Sequence, residues 1–140
     1  MSDLEQARAL LGMARKDLTA LGGMDDTTTF VEEIFGLHVQ QGAEKALKAW
    51  IAALGKRYPR THDLTLLLET LRGGGQDVGP WEALVEYNLF AVQFRYEAYD
   101  ADDEPLDRPA ATARLRALVE LVAEVLGTVT GEHRDGHETT

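Results

Sequence analysis

The sequence predicts an all-α domain, and three observations carry that expectation. Apolar residues recur at spacings of three and four through most of the chain. No segment alternates apolar and polar side chains as a half-buried strand does, and the few β-branched residues lie inside helical patterns. Glycine and proline then cut the helical stretches into pieces of ordinary length. Unequal helices with short connections favour an antiparallel up-and-down bundle of four main helices plus one short helix. No repeat of 34 or 40 residues suggests a solenoid instead.

Ser2 and Glu5 form a capping-box pattern ahead of Leu4, Ala7, Leu10, Leu11, Ala14, Leu18 and Leu21, so the first helix is expected from about Asp3 to Leu21. Gly22 and Gly23 end it. Thr29 and Glu32 repeat the capping pattern before a second helix from about Phe30 to Leu54, closed by Gly55. The stretch Lys56-Arg57-Tyr58-Pro59-Arg60 must then be extended or turned around its proline. Thr61 or Asp63 can cap a short third helix carrying Leu64, Leu67, Leu68 and Leu71, which runs into the Gly73-Gly74-Gly75 loop. Pro80 suits the first turn of a fourth main helix, with Trp81, Leu84, Val85, Tyr87, Phe90 and Phe94 as apolar positions up to about Tyr96. After the acidic loop 97–107, Asp107 can cap a fifth helix whose Leu115, Leu118, Val119, Val122, Val125 and Leu126 form one stripe, fading after Gly127. A single domain over residues 1–130 follows, with 131–140 expected to be a disordered tail.

The 140 residues include 44% hydrophobic side chains, enough for one core, and no cysteine. Disulfides, thiolate metal sites and cysteine nucleophiles are therefore excluded. No apolar run approaches the roughly 18 residues of a membrane span, and MSDLEQARAL carries acids where a signal peptide has a basic flank. A cytoplasmic protein without membrane association is the expectation.

The formal charge is −10, from 14 Lys and Arg against 24 Asp and Glu. It is unevenly spread. Residues 45–60 hold Lys45, Lys48, Lys56, Arg57 and Arg60 with no acid, so the other 124 residues carry −15. Such an island focuses anionic ligands, whereas the acidic remainder disfavours grip on an extended nucleic-acid duplex. Asp100, Asp102, Asp103 and Glu104 lack the sixth-position glycine and twelfth-position glutamate of a calcium loop. His133 and His137 have metal-like spacing but lie in the tail, so no metal site and no cofactor are expected.

On the second helix, His38, Gln41, Glu44, Lys45 and Lys48 fall within one arc of about 120°. Gln40 lies toward the apolar side, and a buried glutamine must find hydrogen-bond partners. Gln40 and Glu44 are thus expected in a structural polar network, with His38, Gln41, Lys45, Lys48 and Arg60 as candidate anion ligands. In the following loop, His62 is the only histidine beside cationic side chains. A histidine that moves protons and an arginine that stabilises charge on phosphorus are what metal-independent RNA cleavage needs, so Arg57 and His62 are the candidate catalytic pair. The alternative is a capping role for His62, with the arginines as loop charges.

Three phrases, His38-Val39-Gln40-Gln41-Gly42-Ala43-Glu44-Lys45-Ala46-Leu47-Lys48-Ala49, Tyr58-Pro59-Arg60-Thr61-His62-Asp63-Leu64 and Phe94-Arg95-Tyr96, closely resemble the HEPN domain family of prokaryotes. The opening Ala9-Leu10-Leu11-Gly12-Met13-Ala14-Arg15-Lys16-Asp17-Leu18 is also similar, so the resemblance spans about residues 3–127. It implies a compact helical bundle, commonly a homodimer, often encoded beside a minimal nucleotidyltransferase in a toxin and antitoxin-like pair, and associated with nucleotide binding. Some members are ribonucleases with an Arg-x4-6-His motif, whose bare spacing Arg57 and His62 satisfy. Those members carry it toward the C-terminal helices, whereas here no histidine lies between Arg95 and His133. Two functions therefore stand side by side: a dimeric module that binds a nucleotide, an anion or a nucleotidyltransferase partner, and a metal-independent endoribonuclease acting on single-stranded RNA.

Overall fold

The computed structural model describes residues 3–24, 32–92 and 106–138, with the side chains of residues 92 and 130–138 outside the description. Helix α1 spans Asp3–Gly22, α2 Glu32–Ala53, α3 Leu64–Gly73, α4 Asn88–Val92 and α5 Arg108–Glu138, and a 3-10 helix over Gly79–Tyr87 precedes α4. Among the described residues there is no strand. The all-α expectation holds, and the proposed caps Ser2 and Thr29 and the acidic cluster 100–104 lie outside the described residues.

Helix α2 is the axis of the molecule and packs against every other element. Its sequence is apolar on several sides, with Phe35, Val39, Ala43, Leu47, Trp50 and Ile51 all buried, as expected of a helix enclosed by neighbours. Two glycines let those neighbours approach. A Cβ on Gly36 would stand 2.5 Å from the Phe90 ring, and one on Gly42 would stand 2.8 Å from the Leu115 side chain. Gly55, at φ 76°, closes α2 in a Schellman turn: its amide donates to the Ala52 carbonyl, and that of Lys56 donates to Ile51. Gln6 near the start of α1 bonds Tyr58 just past the end of α2, so the two helices run antiparallel. Helix α1 is antiparallel to α5 as well, with Arg8 beside Leu126 and Leu18 beside Arg116. Leu115 and Leu118 of α5 are fully buried, each worth about 2 kcal/mol by area removed from water.

Helix α3 starts where Asp63 caps it, the carboxylate accepting the Thr65 amide at 2.9 Å. Asp107 caps α5 in the same way through the Ala110 amide at 3.1 Å. Two expected elements differ. The fourth main helix opens as a nine-residue 3-10 helix and becomes α-helical from Asn88 to Val92, its expected end with Phe94, Arg95 and Tyr96 lying outside the described residues. The reason is the apolar period: Val78, Trp81, Leu84, Tyr87 and Phe90 are all buried and fall every third residue, which lines up on one face at 3.0 residues per turn. Burial pushes the Tyr87 phenol up to about 12, so it stays neutral in this stripe. Helix α5 also continues past Gly127, through the 131–140 segment as far as Glu138. A lone glycine costs about 1 kcal/mol in a helix interior and does not by itself end one.

Candidate functional site

The polar arc of α2 divides between two buried carboxylates. Asp17 of α1 receives one half: His38 Nδ1 lies 3.1 Å from Oδ1, and Lys45 Nζ donates to Oδ2 at 3.1 Å. Asp17 falls between Ala14 and Leu21 on the buried stripe of α1, so α1 carries this carboxylate into contact with α2. Both bonds cross between the two helices, and His38 and Lys45 are committed to them.

Glu44 receives the other half. Its Oε1 accepts from Gln40 Nε2 at 3.2 Å and from His62 Nδ1 at 2.8 Å, while Oε2 accepts from Lys48 Nζ at 2.9 Å. Gln40 is fully enclosed and also donates to the His62 carbonyl at 2.9 Å, fixing the loop as well as the carboxylate. Burial pushes the Glu44 carboxyl up, but the hydrogen bonds from Lys48, His62 and Gln40 and the Lys48 charge outweigh it and hold the group below its usual 4.5. An ionised carboxylate only accepts, so His62 Nδ1 carries the hydrogen of that bond. The His62 side chain is nevertheless 79% exposed, so the opposite ring nitrogen is turned to solvent.

The loop is braced from the far side. Asn88 at the start of α4 accepts the Leu64 amide at 2.8 Å and donates to Asp63 at 2.8 Å. On the near side, Lys48 Nζ also stands 5.5 Å from the centre of the Tyr58 ring, and the Tyr58 hydroxyl accepts from Gln6 at 2.7 Å. A polar chain thus runs Gln6, Tyr58, Lys48, Glu44, His62.

Gln6 and Tyr58 also wall an open polar groove of about 780 Å³, lined further by Asp3, Gly55, Lys56, Arg57 and Arg60. Arg57 and Arg60 are exposed and form no ion pair with any described residue. The groove takes its shape from sequence: Gly55 turns the chain out of α2, and Pro59 keeps it extended past the start of α1.

Of the residues picked out by sequence, Arg57 and Arg60 share this groove, Gln40, Glu44, Lys48 and His62 share one hydrogen-bonded network, and His38 and Lys45 belong to the separate Asp17 cluster. Gln41 is half-buried and bonds no described side chain. Arg57 and His62 make no hydrogen bond with each other, and His62 follows two residues after Arg60. Sequence reasoning missed Asp17, Asn88 and Gln6. Asp17 did leave a signal, as the one acid on the apolar stripe of α1. The partners of Asn88 and Gln6 lie 24 and 52 residues away, which no local pattern encodes.

Among the described residues no three His, Asp or Glu side chains gather into a metal-binding group, and no helix is long and apolar enough to cross a membrane. The side chains of His133 and His137 are outside the description. No curated protein and no solved structure matches the chain. Residues 3–131 match the family described as HEPN domain, which covers nearly the whole chain and every element described above except the end of α5. The chain belongs to the HEPN domain family.

Proposed function

We propose that this HEPN domain is a nucleotide-binding module whose groove at the end of α2 takes the phosphates of the ligand. The observation that carries the reading is the groove itself: Lys56, Arg57 and Arg60 line it, the two arginines are unpaired among the described residues, and the chain around them is strongly acidic. A guanidinium fork matches phosphate geometry, and an unneutralised pair concentrates anions from solution. Tyr58 supplies an aromatic edge at the same place. The remainder of the reading rests on the family: a cytoplasmic homodimer that accompanies a minimal nucleotidyltransferase in a toxin and antitoxin-like pair. Light scattering at micromolar protein tests the dimer, twice 15.4 kDa being expected.

Titration calorimetry with a nucleoside triphosphate at low salt tests the groove. Binding weakened at least tenfold by Arg57→Ala with Arg60→Ala is the expected result, about 1.4 kcal/mol or more. Equal affinity in the double variant, or no binding by the wild type, contradicts it.

A second reading, metal-independent RNA cleavage by Arg57 and His62, is favoured by one observation: an exposed imidazole held by a buried carboxylate is a common arrangement for proton transfer. Cleavage of single-stranded RNA in EDTA that disappears in His62→Ala is the result it requires.

A further inference from the structure

The Glu44 cluster does more to His62 than hold it in place. Glu44 Oε1 meets Nδ1 at 2.8 Å, and Gln40 pins the His62 backbone through its carbonyl at 2.9 Å. Lys48 occupies Oε2, so the carboxylate cannot turn away without losing an ammonium partner that is itself mostly buried. The ring is therefore fixed in position, in orientation and in the site of its hydrogen. In the neutral ring this leaves a lone pair on Nε2, in solvent and with no protein partner among the described residues.

We infer that Glu44 is a positioning residue that locks His62 as the Nδ1–H tautomer, making Nε2 a hydrogen-bond acceptor that selects groove ligands carrying a hydroxyl donor beside their phosphate. The ligand half rests on the groove reading above; the tautomer half stands on the Glu44 contacts alone. His62 lies two residues beyond Arg60, at most about 7 Å along the chain. His62 lies just outside the groove lining, so with the phosphate on the arginines the sugar extends over the groove's rim to Nε2, and the chemical class named is a phosphorylated ribose in preference to its deoxy counterpart. Lys48 links the two parts physically, since its Nζ contacts both Glu44 and the face of Tyr58, a wall of the groove.

The groups bonded to His62 are Glu44, Gln40 and, through Glu44, Lys48, and the charged chain neighbours are Arg60 and Asp63. This permits a sharp test in Glu44→Gln. The Lys48 ammonium can only donate, so it claims the amide oxygen of the substituted side chain and turns the amide nitrogen toward His62, at the cost of the Gln40 Nε2 bond to that position. Nδ1 must then accept, and the tautomer reverses.

Nitrogen-15 NMR of the His62 ring at pH 8 reads this directly in the full chain. The wild type is expected as Nδ1–H and Glu44→Gln as Nε2–H. A wild-type His62 in the Nε2–H form overturns the proposal whether or not the groove binds anything. The second arm compares adenosine 5′-triphosphate with its 2′,3′-dideoxy form by calorimetry. A preference of about threefold to tenfold for the hydroxyls is expected, the worth of one ordinary hydrogen bond. It should vanish in His62→Ala, an exposed position whose truncation leaves folding intact. Equal binding of the two nucleotides by the wild type overturns the acceptor role while leaving the groove reading standing. No binding of either nucleotide, with the Nδ1–H tautomer present, overturns the groove reading and the acceptor role together.

Discussion

Asp17 and Glu44 are the same device built twice. Each is a buried carboxylate, Asp17 on α1 facing α2 and Glu44 on α2 itself, and each has a histidine Nδ1 on one oxygen and a lysine Nζ on the other. They differ in where the histidine comes from. His38 sits on α2 itself and is two-thirds covered, so its bond to Asp17 ties two helices together. His62 comes from the loop and is mostly exposed, so its bond to Glu44 leaves a working face. Identical chemistry thus serves as a fastener at one place and as a mount at the other, and the exposure of the imidazole decides which.

The comparison breaks most visibly at Asp17. Removing its carboxylate in Asp17→Ala leaves the Lys45 ammonium without a counter-charge and the His38 ring without its hydrogen-bond partner, and their partial exposure moderates the cost to about 2 kcal/mol. Urea unfolding should show that loss, with nucleotide affinity within twofold of wild type. A large loss of affinity would mean that the Asp17 cluster is part of the site.

Glu44→Gln keeps the shape and most hydrogen bonds, so a smaller loss of about 1 kcal/mol is expected. The same variant sharpens a pH effect. The folded-state pKa of Glu44 lies below its usual value, so its stabilisation is complete above about 4.5 and is lost as pH falls through the folded value. Wild type and Glu44→Gln should therefore differ in stability near neutrality and converge in acid. A gap that widens below pH 4.5 would contradict the direction of the shift.

The smallest effect is expected at His62. Its ring is exposed, so His62→Ala should stay within about 0.5 kcal/mol of wild type in urea, whereas His38→Ala should cost about 1 kcal/mol. Equal losses at the two histidines would erase the distinction between fastener and mount.

Much of this was legible in the sequence because it is local. The caps Asp63 and Asp107, the Gly55 turn and the enclosed Gln40 follow from residue type and spacing. The 3-10 helix was legible only in hindsight: Trp81, Leu84 and Tyr87 satisfy a period of 3.0, but adding Val85 and Phe94 gives a set equally compatible with 3.6. By spacing alone the arc on α2 is one surface, because its residues share a side of the helix. Asp17 and His62 approach that side from different elements and split it. Spacing along a helix says which residues lie together, but not what a neighbouring helix brings to meet them.

Amide chemical shifts of the full chain, followed while a nucleoside triphosphate is added at low salt, test the central claim most directly. Movement concentrated over Lys56, Arg57, Tyr58, Arg60 and His62, with Asp17, His38 and Lys45 unmoved, is the predicted result. Movement centred on Asp17, His38 and Lys45, or no movement anywhere at millimolar nucleotide, would contradict it.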